Sequence, residues 1–157
     1  MKVKKFRTSE IIIWNGNAYI PSNAYYRDGI FTSIEPVYVA NPAQDELVPI
    51  VQAILSKEPV LLPDPTPEDI RTQRDLLPRI TGARSWKRLC QYGISYIIEL
   101  SKKGFLLEMS RLDKRGRWEF DPDKRKTYPR NTDLVVIIQD VLNDLAERPQ
   151  AKDEGNG

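Results

Sequence analysis

Apolar residues recur at every second position over Ile94, Tyr96, Ile98 and Leu100, which is the period of a β-strand. Lys102-Lys103-Gly104 interrupts the pattern with a residue that takes positive φ readily in a turn, and Phe105, Leu107 and Met109 then resume it. Asp113-Lys114-Arg115-Gly116 makes a second turn, after which Trp118 and Phe120 begin a third, shorter strand. The stretch Gly93–Pro122 therefore predicts an antiparallel meander with one apolar face that must be covered. Trp118 is expected on that buried face.

The same pattern places the other elements. Glu10–Trp14 and Ala18–Ile20 flank Asn15-Gly16, a strong hairpin signal. Pro21–Gly29, rich in Ser, Asn, Asp and Gly, reads as a loop, and Ile34–Ala40 as a further strand with Pro36 at its start or on an edge. Leu47, Ile50, Val51, Ile54 and Leu55 fall on one face of a helix over Gln44–Lys57, provided that Pro49 sits in its first turn. Thr66-Pro67-Glu68-Asp69 is a helix start, and that helix is expected to end at Leu77, before Pro78. Ser85 caps a short helix closed by Gly93. Asn131 or Thr132 opens a last helix whose stripe runs from Leu134 to Leu145 and which ends at Pro149. These elements predict an α+β fold: an antiparallel sheet of five or six strands, including the meander, with helices packed mainly on one face. Residues 1–149 are expected to form one domain and residues 150–157 a polar, flexible tail.

Composition narrows the chemistry. With 157 residues, 40% hydrophobic and 29% charged, the chain can build a core. No run approaches the roughly 20 apolar residues of a membrane helix, and no signal-peptide pattern follows the basic first residues, so a cytoplasmic protein without membrane association is expected. There is no histidine and one cysteine, Cys90, which excludes Ser-His-Asp triads, Cys-His pairs and internal disulfides within this sequence. Cys90, on the apolar side of a short helix, reads as core rather than nucleophile. No phosphate loop, dinucleotide or metalloprotease motif is present, and Asp121 and Asp123 read as turn residues. No catalytic activity, cofactor or metal is expected.

The net charge of +2 decides little, but its distribution is uneven. Between Glu35 and Asp75 eight acids face three bases, whereas Arg111–Arg130 holds eight bases and four acids. Trp86 beside Lys87 and Arg88, and Trp118 beside Arg115 and Arg117, interleave aromatic and basic groups as single-stranded nucleic acid requires. The weak net charge favours the plainer reading, in which both tryptophans are core and the bases a solvated rim. Tyr25, Tyr26, Arg27 and Phe31 crowd one loop, either as an exposed protein interface or folded back onto the sheet.

At RSWKRL and MSRLDKRGRWEFDP the sequence resembles bacterial immunity proteins that partner contact-dependent growth-inhibition toxins. The likeness spans Thr81–Leu145 and includes the helix bearing Trp86 and Leu89, the meander and the closing helix. It implies an α+β cytoplasmic protein that binds and neutralises a cognate toxin domain, and it supplies no binding residue by position. Toxins that attack nucleic acid commonly have basic clefts, so the acidic middle is the complementary surface. Glu46, Asp64, Glu68, Asp69 and Asp75 are the candidate contacts, joined by Tyr25 and Tyr26. Glu68 and Asp69 also suit the start of a helix. The alternative is a small nucleic-acid-binding or regulatory module that uses the basic second half.

Overall fold

Asn15 and Gly16 both take positive φ, 47° and 80°, and close the hairpin between β1 (Arg7–Trp14) and β2 (Asn17–Tyr25). The computed structural model describes residues 7–149, so the tail predicted over 150–157 lies outside the described residues. After β3 (Phe31–Ala40) come α1 (Gln44–Ser56), β4 (Val60–Leu61), α2 (Pro67–Thr81) and α3 (Trp86–Tyr92). The meander β5 (Ile94–Ser101), β6 (Gly104–Leu112) and β7 (Trp118–Phe120) follows, then β8 (Lys126–Tyr128) and α4 (Leu134–Glu147). The sheet runs β3-β2-β1-β5-β6-β7 with antiparallel neighbours. The short β4 joins β2 in parallel, and β8 joins β6. The α+β architecture and the six-strand path match the expectation from sequence.

Strand β1 lies at the centre and is covered on both sides. On one face Ile11 and Ile13 join Tyr96, Ile98, Leu107 and Met109 beneath α1 and α4. This is the larger core, and it buries Leu47 and Val51 of α1 and Ile137, Ile138 and Val141 of α4 completely. On the other face Ile12 and Trp14 meet Tyr19, Leu77, Ala83 and Leu89 beneath α2 and α3. Helices thus occupy both faces, although the greater share of apolar burial is under α1 and α4. Trp118 is half-buried at the margin of the smaller core, where it meets Trp86 edge-to-face at 6.2 Å and donates its indole N–H to the Gly93 carbonyl at 3.2 Å. It is less buried than expected because β7 is a three-residue edge strand.

Three local expectations are corrected, each at a proline. The predicted loop at Pro21–Gly29 is strand as far as Tyr25. Pro21 falls at a register shift in β2, where the ladder is interrupted and a missing N–H is tolerated. Helix α2 passes through Pro78 to Thr81. Pro78 cannot bond the carbonyl four residues back, that of Arg74, and the Trp86 indole N–H donates to that oxygen instead. Helix α1 likewise runs through Pro49, one turn later than the first turn, with Pro49 and Asp45 both on its exposed side. The basic stretch before α4 contains β8. Gly104 is required there, because a Cβ would come 2.3 Å from the Tyr128 carbonyl oxygen.

Asp144 fastens α4 to the sheet. Its side chain is 7% exposed and accepts hydrogen bonds of 2.7 Å from Tyr96, Lys124 and Arg148. Burial alone would raise its pKa, but these bonds and the Arg148 charge outweigh burial and hold the carboxyl below its ordinary value. A depressed carboxylate contributes stability above the ordinary value and loses it as pH falls through the folded one. Asp144→Ala should therefore cost about 3 kcal/mol at pH 7 by urea denaturation. The cost should shrink below about pH 4, as the wild-type carboxyl takes up its proton.

Candidate functional site

Glu10 is the one charged residue in the run that forms the core of β1. By register it shares a sheet face with Ile12 and Trp14, and its neighbours across β5 and β6 on that face are Ile97 and Glu108. The α2–α3 layer covers Ile12 and Trp14. Beyond them, at Glu10, a groove of about 540 Å³ opens between α2 and the β2–β3 turn. Tyr26, Ile30 and Phe31 form one wall, Ile70, Gln73 and Leu77 the other, and Glu10 lies at the floor.

The floor is built from strand residues. Glu10 Oε2 accepts from Ser95 Oγ on β5 at 2.8 Å, and Oε1 accepts from Ser33 Oγ on β3 at 3.4 Å. Among the described residues no lysine or arginine reaches this carboxylate, whereas Glu108 on the same face is paired with Arg125. Burial pushes the Glu10 pKa up against the lowering effect of the two serine bonds. One wall is tied to the other by Gln73, whose Oε1 accepts from Tyr26 Oη and, at 3.4 Å, from Thr32 Oγ1. The rim is apolar, with Ile30 60% and Ile70 51% exposed.

The candidates from sequence divide around this groove. Tyr26 lines it. Tyr25 is 2% exposed, its ring edge-on to Phe31 and its hydroxyl bonded to Thr8, so it presents nothing to a partner. Asp64 and Glu68 are exposed on the segment that forms the α2 rim. Asp69 completes a capping box with Thr66, its backbone N–H donating to Thr66 Oγ1 at 3.1 Å and its carboxylate accepting from the Thr66 N–H at 3.0 Å. Asp75 pairs with Arg74 at 3.2 Å. Glu46, on α1 across the sheet from α2, accepts from the Asn41 N–H that precedes the helix. The acidic middle is thus dispersed over two faces. Glu10 does not stand out in the sequence; its signal is an acid beside the apolar run Ile11–Trp14 of the central strand.

The basic second half is largely committed to carboxylates. Arg111 bonds Glu119 and Asp121, Arg117 bonds Asp113, and Lys126 lies 3.7 Å from Asp140. Trp86 and Trp118 are engaged with each other and with backbone carbonyls. Cys90 is buried, and burial pushes its thiol pKa up. Among the described residues no three His, Cys, Asp or Glu side chains converge on a metal position, and no helix is long and apolar enough to cross a membrane.

The raised Glu10 carboxyl has a defined consequence. A carboxyl whose folded pKa exceeds its unfolded value weakens the fold as pH rises from the ordinary carboxylate value through the folded one. Glu10→Gln should therefore match wild type near pH 4 and be more stable at pH 7, by on the order of 1–2 kcal/mol in chemical denaturation. Equal stability at both pH values would show that Glu10 is not destabilised by burial.

No family model and no curated protein sequence matches the chain. Solved structures match its fold end to end. A protein of unknown function from Neisseria meningitidis superposes with a TM-score of 0.67 at 14% identity, over 95% of this chain and 99% of that one. A chain of the CdiA-CT/CdiI toxin and immunity complex from Yersinia pseudotuberculosis superposes with a TM-score of 0.65 at 12% identity, over 92% of this chain and 98% of that one. At these identities the likeness is one of fold.

Proposed function

We propose that this protein is an immunity protein, which binds a cognate toxin domain and neutralises it by occupying its surface. The observation that carries the reading is the end-to-end correspondence with a chain of a toxin and immunity complex. Two features of this chain favour the inhibitor's role over the toxin's. It has no histidine to serve as a general base, and its groove presents a carboxylate that no lysine or arginine among the described residues pairs with, which suits a basic partner. The nucleic-acid reading loses support because the basic stretch is neutralised internally and its tryptophans are not free to stack.

Co-expression with a toxin domain encoded beside it should restore growth, and the two purified chains should form a stoichiometric complex by light scattering. Failure to bind or protect would end the reading. Charge should guide the encounter from the groove side. Asp64→Lys with Glu68→Lys should slow stopped-flow association at low salt and converge on wild type as salt shortens the Debye length to about 3 Å near 1 M. Glu46→Lys, on the opposite face, should leave association unchanged. Oligonucleotide binding should stay at the weak, non-specific level of about 10⁻⁴–10⁻⁶ M at physiological salt. A tight, salt-steep oligonucleotide complex would replace the immunity reading with the nucleic-acid one.

A further inference from the structure

The groove beside Glu10 has a chemistry of its own. Its walls are largely apolar, its rim exposes Ile30 and Ile70, and the half-buried Glu10 carboxylate lines its floor. At about 540 Å³ it falls within the range of roughly 300–1,000 Å³ typical of sites that enclose a ligand. A carboxylate offers about four acceptor positions on its two oxygens. Ser95 and Ser33 each occupy one, on different oxygens, so each oxygen keeps a free position. Arg74, which also borders the groove, is already paired with Asp75.

We infer that the groove receives an arginine side chain of the partner protein, its guanidinium resting on Glu10 and its stem between the Ile30 and Ile70 walls. The two free oxygen positions match the planar, two-pronged donor geometry of a guanidinium better than the point charge of an ammonium. The apolar walls match the methylene stem, which long cationic side chains bury while presenting the charge at their end. Bringing the cation in supplies the counter-charge that Glu10 lacks among the described residues. Glu10 is then kept in the central strand as a recognition group, at the expense of stability when the groove is empty. That the arginine belongs to a toxin domain rests on the proposed function; that the groove takes a guanidinium does not.

The experiment has two arms. In the first, the free protein is titrated with n-butylguanidinium and, separately, n-butylammonium, read by ¹⁵N–¹H NMR. Butylguanidinium should shift and saturate the amides of Ser33, Gln73 and Leu77, more tightly than butylammonium, and Glu10→Gln should abolish the response. Because Glu10→Gln should be more stable than wild type, loss of fold does not confuse the result. Absence of groove-confined shifts, shifts that survive Glu10→Gln, or equal or tighter binding of butylammonium would each overturn the guanidinium site. In the second arm, Glu10→Gln should weaken the toxin-domain complex by about 30-fold or more, mostly through faster dissociation, because removing one partner of a buried charge pair leaves the other unpaired. An unchanged Kd for a complex that does form would remove the groove from the toxin interface while leaving the immunity reading in place. Absence of any complex, with butylguanidinium still binding, would end the immunity reading and leave the site standing.

Discussion

Both faces of β1 have to be covered, and the molecule is arranged around that requirement. Ile11 and Ile13 point to one side and Ile12 and Trp14 to the other, so a strand of alternating geometry but continuous hydrophobicity needs two layers of helix. Helices α1 and α4 supply one layer, and α2 with α3 supply the other. The second layer is the smaller, and the sheet face it serves is wider than it can cover. Glu10, Glu99 and Glu108 lie on the part left over, sharing a face by register. The groove exists because the second layer stops short.

Much of this is written in local sequence. Period-two alternation places β5 and β6, Asn15-Gly16 closes the first hairpin, and the Thr66–Asp69 capping box starts α2 where it should. The misreadings share one cause: a local breaker rescued by a distant group. Pro78 reads as a helix stop, but Trp86, twelve residues after Arg74, supplies the donor that lets α2 continue. Pro21 reads as loop, but strands β3 and β4 pair with the residues beyond it and hold them extended. A single sequence contains both partners but not their proximity.

The site was less legible than the fold. Charge counted along the chain points to the acidic middle, yet folding separates Glu46 from Asp64 and Glu68 and spends Asp69 on a cap. Tyr25 and Tyr26, adjacent in sequence, part in the usual way of a strand end: one turns into the core and the other onto the groove wall. Glu10 carries one charge in an apolar run, a weak compositional signal, and only register shows that it faces a gap in the helical layer. That gap also explains why an acid survives in the central strand, where burial with no counter-charge among the described residues works against the fold.

Hydrogen–deuterium exchange of the protein alone and in complex with the proposed toxin domain would locate the interface. New protection is expected over residues 26–33 and 65–77, the two walls of the groove, with little change in the amides of α1 and α4 that face the other layer. Protection centred on α1 and α4, or none at the groove walls in a complex that has formed, would contradict that expectation.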